Sequence, residues 1–266
     1  FVNIKGIDIN AVLANPKSYP GVTGLIGDGE MMRKTLGEVG AAAAQKRRAG
    51  RILFGSNIEK YKSAVIKKFE EISKRSKATR TNIYIFTGLA GGTGSGSIID
   101  VIAQTRMIPQ FREELSQDGK CGTGIVINAM VPELNPPGKS DAGKYHANGY
   151  AALQELNALL SGNYNPYDVS GQHERLALDT VTKVADGIIC YSNVNENGYR
   201  VESHHELPQI VADFTYSRIF LENNSNTEEF MRSYSFENIN SWRIEYYEKA
   251  KEGLITPYRT KAVSSF

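Results

Sequence analysis

The clearest pattern of hydrophobic and polar positions lies between residues 58 and 74. Apolar side chains recur there at steps of three and four, at Ile58, Tyr61, Val65, Phe69 and Ile72. Lysines occupy the opposite positions of the same stretch. A stripe of this width with charge on its other side is typical of an amphipathic surface helix.

Three short apolar runs have the composition of buried strands, at residues 82–86, 124–131 and 187–191. They are rich in β-branched and aromatic residues, as expected for parallel strands covered on both faces. The near-alternating opening, Phe1–Ile9, also predicts a strand. Because it starts in mid-strand, we expect the N-terminal part of the domain to be incomplete.

Further helices are predicted between and after these strands. One starts at Ile98 and ends before Pro109, another covers 147–160, and a third covers 206–221. Strands alternating with helices predict an α/β fold, a Rossmann-like parallel sheet with helices on both faces. We expect one domain over residues 1–221, and the start of an incomplete second domain or a C-terminal extension over 222–266.

A glycine-rich run directly follows the strand at 82–86 and precedes a helix. It consists of Gly91, Gly92, Thr93, Gly94, Ser95 and Gly96. Glycines let backbone N–H groups approach an anion closely, and the start of a helix adds free N–H groups and the positive end of its dipole. The two hydroxyls supply further donors. The run therefore predicts a phosphate-binding loop, with a simple tight turn as the alternative.

Two common nucleotide motifs do not fit this run. No Gly-Lys-Ser or Gly-Lys-Thr follows at the spacing of a P-loop. The glycines also miss the dinucleotide spacing, and Glu113 and Glu114 lie in a helical or loop region rather than at the end of the next strand. A dinucleotide-dependent oxidoreductase is therefore the weaker hypothesis.

The glycine run at the end of a strand resembles the signature loop of the tubulin and FtsZ superfamily, which holds the phosphates of GTP. The chain is most similar to the divergent bacterial tubulin-like proteins. Ala42-Ala43-Ala44-Gln45, with Gly50-Arg51 beyond it, resembles the upstream loop that faces the γ-phosphate. The family usually has glycine at the positions of Ala42 and Ala44.

The resemblance also implies roles for residues after the later strands. The segment 131–135 is similar to the ribose-contacting loop, which implies ribose contacts for Glu133 and Asn135. Asn193 and Asn197 stand where the family places a base-reading asparagine ahead of its long central helix. The resemblance implies Ala43, Ala44 and Gln45 at the γ-phosphate. It also implies that a first glycine motif precedes residue 1.

Hydrolysis in this family is completed by acidic residues that reach the nucleotide of the next subunit. Glu228, Glu229 and Glu237 are candidates, and a solvated acidic patch explains them equally well. The catalytic residue therefore stays unknown. The basic run at residues 46–51 either neutralises phosphate or forms a solvated helix face.

Composition restricts the other function classes. The chain has 266 residues, 41% of them hydrophobic, with a net charge of only +2, so binding to nucleic acid is not expected. No apolar run is long enough for a membrane span, and we expect a cytoplasmic protein.

The four histidines lack ligand spacing, so no protein-held metal is expected, although Mg²⁺ carried by a nucleotide needs few protein ligands. Cys121 and Cys190 are expected to be buried thiols.

These observations together predict a GTP- or GDP-binding tubulin-like protein. It would self-associate head to tail into filaments and would be a GTPase if a neighbouring subunit completes the site. The alternative is a nucleotide-binding scaffold or regulator without catalysis. The alanines at positions 42 and 44 and the unassigned catalytic acid favour that alternative.

Overall fold

The structure is a computed structural model of the whole chain. It describes residues 9–26, 30, 45–112, 121–131, 142–171, 174–178, 183–194, 200–201, 205–216, 219 and 260–262. Within these ranges no helix is both long enough and apolar enough to cross a membrane.

A four-stranded sheet forms the centre of the fold. Its strands are β1 (Arg80–Gly88), β2 (Gly122–Met130), β3 (Gly187–Tyr191) and β4 (Thr260–Ala262), in the spatial order β1-β2-β3-β4. The first three strands are parallel, and β4 pairs antiparallel with β3. The three apolar runs are therefore strands, and the predicted parallel sheet is confirmed.

The described part of the chain contains seven α-helices. They are α1 (Ile9–Ala14), α2 (Pro20–Ile26), α3 (Arg47–Gly55), α4 (Ile58–Arg75), α5 (Thr93–Arg106), α6 (Ala142–Leu160) and α7 (Glu206–Tyr216). Short 3₁₀ turns cover Pro16–Ser18 and Pro109–Phe111.

The helices differ from the predicted ones at several boundaries. The amphipathic helix is confirmed as α4, but α5 starts at Thr93, inside the glycine run, five residues earlier than predicted. The predicted strand over Phe1–Ile9 is wrong at its last residue, because Ile9 begins a helix; residues 1–8 lie outside the described part. The third predicted helix is confirmed over Glu206–Tyr216, and of the rest of its predicted range, up to Leu221, only Ile219 lies within the described residues.

The alternation of side chains along the strands gives the sheet two buried faces. Alternate residues of β2 and β3, including Ile127 and Ile188, pack in one core with α5 and α6. The intervening residues, including Ile189, pack with Leu207 and Val211 of α7. Side chains of a strand alternate between faces, so helices cover both sides of the sheet, as predicted.

Two glycines allow α3 and α5 to cross at very short distance. A Cβ placed on Gly50 would collide with the carbonyl oxygen of Gly92 and lie 2.7 Å from the Cα of Thr93. A Cβ on Gly96 would collide with the carbonyl oxygen of Arg47 in α3. Backbone atoms cannot move aside as flexible side chains do, so both positions require glycine.

We expect Gly96→Ala to lower the free energy of unfolding by about 2 kcal/mol or more, because the added methyl group overpacks a contact between two backbones. Gly149→Ala in α6 is the matched control, since its nearest neighbouring atoms are 4.0 Å away. That substitution should be neutral or stabilising by roughly 0.5–1 kcal/mol, because alanine favours helix over glycine. Urea unfolding followed by circular dichroism measures both. Equal stability of the two variants would contradict the close crossing.

Candidate functional site

The turn Leu89–Gly92 lies at the carboxyl edge of the parallel sheet, between the end of β1 and the start of α5. The N–H of Leu89 donates to the carbonyl oxygen of Met130 in β2 at 3.0 Å, and this anchors the turn to the neighbouring strand. In open α/β sheets, ligands bind outside the carboxyl ends of the strands. The first N–H groups of α5 have no partner within the helix, which favours an anion at this end.

The glycines of the run have different structural roles. A Cβ on Gly94 would lie 2.5 Å from the carbonyl oxygen of Gly88 in β1 and 2.8 Å from Thr87 Oγ1, so Gly94 is required for the packing of α5 on its own strand. Gly96 is required for the crossing with α3. A Cβ on Gly91 would meet no atom within 4 Å. Gly91 therefore has open space beside it, as an anion in the turn requires.

The two hydroxyls of the run also differ. Ser95 is fully buried, and its Oγ accepts a hydrogen bond from Arg47 Nε at 2.9 Å. Thr93 is partly exposed in the first turn of α5, and its carbonyl accepts a hydrogen bond from Ser97 Oγ at 2.8 Å. Of the two predicted hydroxyl donors, Thr93 is the one that lies at the surface.

The basic run at 46–51 starts α3, and two of its arginines pair with acidic residues inside the protein. Arg47 donates to the Ser95 carbonyl oxygen at 3.0 Å and forms a bidentate pair with Glu155 of α6, in which Nη1 lies 3.0 Å from Oε1. Arg51 forms a second bidentate pair with Asp100 of α5, at 2.6 and 2.9 Å.

The pairing of Arg47 and Arg51 corrects the interpretation of the basic run as a solvated face for these two residues. They fasten α3 to α5 and α6. Only Arg48 of the three arginines is exposed. The acidic partners lie 49 and 108 residues further along the chain, so the sequence carries no local signal of these pairs.

The Arg51–Asp100 pair is the most deeply buried charge pair of the site. The Asp100 side chain is 1% exposed, against 23% for Arg51. Burial raises the pKa of the Asp100 carboxyl, and its hydrogen bonds to Arg51 oppose that rise. Burial has the largest single effect and would lower the pKa of Arg51, but the hydrogen bonds to Asp100 and the nearby acidic groups together outweigh it, and the Arg51 pKa is raised. Each group therefore depends on the other for its burial.

Asn148 of α6 contacts the candidate turn from the side. Its Nδ2 lies 2.9 Å from the carbonyl oxygen of Gln45, 3.2 Å from that of Ala90 and 3.4 Å from that of Gly91. Nothing in the sequence points to this residue, because an asparagine within a helix gives no local signal of such a contact.

Gln45 directly precedes the residues that open α3. Its backbone φ is 64°, in the left-handed region that residues other than glycine rarely adopt. Its Oε1 is buried and accepts no hydrogen bond from the described residues. Gln45 thus lies next to the turn, and its contact with a γ-phosphate stays a prediction. Ala43, Ala44, Glu133, Asn135 and Asn197 fall outside the described residues, and their assignments stay predictions.

Asn193 is buried two residues after β3. Its carbonyl oxygen accepts a hydrogen bond from the N–H of Val201 at 3.0 Å, and its Nδ2 reaches the Val201 carbonyl oxygen at 3.5 Å. Val194 and Arg200 form a bridge beside this pair. Asn193 therefore lies at the carboxyl edge of β3, at the same edge of the sheet as the turn.

No group of three or more histidine, cysteine, aspartate or glutamate side chains suited to a metal occurs among the described residues. Of the two cysteines that were predicted to be buried, one is buried and the other is not. Cys190 is buried in β3, but Cys121 is exposed because it lies just before β2 begins.

Comparisons with known proteins give one family and one solved structure. The model of the family described as "Tubulin like" matches residues 17–265. The solved structure is CetZ from Methanosaeta thermophila strain DSM 6194, with 19% sequence identity and a TM-score of 0.37. The alignment covers 69% of this chain and 37% of CetZ, so the chain spans little more than a third of that structure's length. A comparison with curated protein sequences finds no match.

We expect Arg51→Met to destabilise the protein by about 3–5 kcal/mol, because it leaves the carboxylate of Asp100 buried without its cation. Asp100→Asn is the matched partner variant and should cost less, since an amide oxygen still accepts from Arg51 and the guanidinium reaches solvent. Urea unfolding at pH 7 compares the two variants. A larger loss for Asp100→Asn would contradict the unequal burial of the pair.

The loss of stability in Arg51→Met should also depend on pH. Without the guanidinium, the pKa of Asp100 in the folded state rises further above its value in the unfolded chain, so the folded variant binds a proton more readily. The difference in free energy of unfolding between the wild type and the variant should therefore shrink as the pH falls from 8 toward 5. A deficit that stays constant over this range would mean that Asp100 is not the group left unpaired.

Proposed function

Because the chain belongs to the tubulin-like family, we propose that it binds GTP or GDP at the turn Leu89–Gly92 and the first turn of α5. The observation that carries this proposal is the open space beside Gly91, at the carboxyl edge of the parallel sheet and at the start of a helix. A polyanion gains there from the free N–H groups of α5 and from the helix dipole.

The turn supplies the groups that α- and β-phosphates need. The N–H groups of Gly91, Gly92 and Thr93 lie at or before the helix start, and the partly exposed hydroxyl of Thr93 is next to them. The next three residues, Gly94, Ser95 and Gly96, hold α5 against β1 and α3. In this proposal the glycine run divides into a binding part and a supporting part.

The remaining contacts of the nucleotide follow from the positions around the turn. Gln45 lies beside the turn, and with Ala43 and Ala44 it would face the γ-phosphate. Glu133 and Asn135 would contact the ribose. Asn193 or Asn197 would read the base, from the same edge of the sheet. Mg²⁺ would arrive with the nucleotide and neutralise phosphate charge, because it needs few protein ligands.

We further propose that the protein assembles head to tail and that a neighbouring subunit completes a GTPase site. A repeated contact between unlike surfaces does not close on itself and gives filaments. The candidate acids Glu228, Glu229 and Glu237 lie outside the described residues. A cytoplasmic location is consistent with this function.

The second candidate function is a nucleotide-binding scaffold or regulator that neither hydrolyses GTP nor assembles. The methyl groups of Ala42 and Ala44, where the family usually has glycine, favour it because they would hinder close approach to a γ-phosphate. An oxidoreductase that uses a dinucleotide has no supporting observation in the described structure.

We expect Gly91→Asp to reduce the affinity for GTP and GDP by at least about tenfold, because it puts a carboxylate beside the proposed phosphates. The fold should be retained, since a Cβ at this position meets open space. Ser63→Asp is the matched control, with the same added charge at an exposed position of α4. Isothermal titration with each nucleotide measures the affinities. Unchanged binding in a folded Gly91→Asp variant would exclude the turn as the phosphate site.

The full-length protein should release phosphate from GTP and scatter more light as it assembles, with both signals rising steeply with protein concentration. Such dependence is expected because a neighbouring subunit completes the site. GDP in place of GTP is the control and should give less assembly. Tight GTP binding with neither turnover nor scattering would favour the scaffold, and turnover independent of protein concentration would contradict completion of the site by a neighbour.

A further inference from the structure

One amide group in α6 touches both segments that flank the proposed phosphate site. Nδ2 of Asn148 carries two hydrogens and has three carbonyl oxygens within 2.9–3.4 Å. Two of these oxygens belong to the turn after β1, at Ala90 and Gly91, and the third belongs to Gln45. The two segments are far apart in sequence, and this side chain bonds to both.

The contact with Asn148 matters for the start of α3, because the other anchors hold only the part of the helix that follows Lys46. Beyond Lys46, the helix is held by the Arg47 and Arg51 ion pairs and by the glycine crossing with α5. Gln45 precedes all of these anchors and has a left-handed backbone conformation that costs energy. Its carbonyl bond to Asn148 is therefore a contact that helps to set the direction in which the chain enters α3.

We propose that Asn148 is a positioning residue that couples the turn Leu89–Gly92 to Gln45. The coupling of the two segments does not depend on the proposed function, but its effect on nucleotide binding rests on it. A ligand that orders the turn also orders Gln45, because the same Nδ2 is bonded to both. Through Gln45, the contact sets how well the protein distinguishes a nucleoside triphosphate from a diphosphate.

The substitution Asn148→Asp tests the coupling with little change of shape. It replaces a donor by a carboxylate, which would face three carbonyl oxygens and repel them. Gln154→Glu makes the same change of amide to carboxylate at an exposed position of α6, and it is the matched control. Two amides report on the two segments: the N–H of Leu89, bonded to Met130, and the N–H of Gly50, bonded to Lys46.

Hydrogen exchange of the full chain without nucleotide is the first measurement. In Asn148→Asp, exchange should be faster at both Leu89 and Gly50, while amides in the centres of β2 and α4 keep their wild-type rates. In Gln154→Glu, all of these rates should be unchanged. Faster exchange at Leu89 alone would overturn the coupling, since the start of α3 would then be fixed independently of Asn148. Faster exchange throughout the chain would also overturn it, because Asn148 would then contribute to global stability rather than couple the two segments.

Nucleotide binding is the second measurement. Saturation with GDP should slow exchange at Leu89 and Gly50 in the wild type, but only at Leu89 in Asn148→Asp. The ratio of GTP affinity to GDP affinity should fall by about tenfold in the variant, the usual effect of one lost hydrogen bond. Equal losses of both affinities would overturn the role in discrimination. If the wild type binds neither nucleotide, the proposed function fails, and the exchange rates without nucleotide still decide whether the two segments are coupled.

Discussion

The contact between the backbones of α3 and α5 is the constraint on which the rest of the site depends. Gly50 and Gly96 allow the two helices to approach so closely that a methyl group at either position would meet main-chain atoms. This approach places the start of α3 directly over the first turn of α5. As a consequence, the segment that leads into α3 and the turn that leads into α5 become neighbours at one edge of the sheet.

The short distance between the helices also explains the charges on α3. Arginines at positions 47 and 51 project from a helix that lies against α5 and α6, so they need partners within the protein. Glu155 and Asp100 provide carboxylates with bidentate geometry, and Ser95 supplies further acceptors. Removing one member of such a pair leaves an uncompensated charge, which costs more than the pair itself contributes. The ion pairs therefore keep α3 in one position rather than adding much net stability.

The sequence allowed the three parallel strands, the helix α4 and the turn before α5 to be predicted, because each produces a local pattern. Continuous apolar runs mark β1, β2 and β3, and steps of three and four mark α4. The helix α3 has apolar residues at the same steps, at Ala49, Ile52 and Leu53, but over only nine residues that include two glycines, which is too short a stretch for a prediction. The pairs of Arg47 and Arg51, and the contacts of Asn148, join residues more than 40 positions apart. Contacts of this kind depend on the assembled fold and not on any spacing in the sequence.

The glycine run shows that the glycines of one motif can be required for different physical reasons. Gly91, Gly94 and Gly96 are the same residue type for different reasons: open space at the turn, contact with β1 and contact with α3. A sequence motif records that a side chain is excluded at each position, but not whether the excluding atoms belong to a ligand or to the protein. Here the supporting glycines place α5 against β1 and α3 through contacts within the protein. A turn positioned by such packing would lose little conformational entropy on binding, so the packing supports the proposed anion site at Gly91.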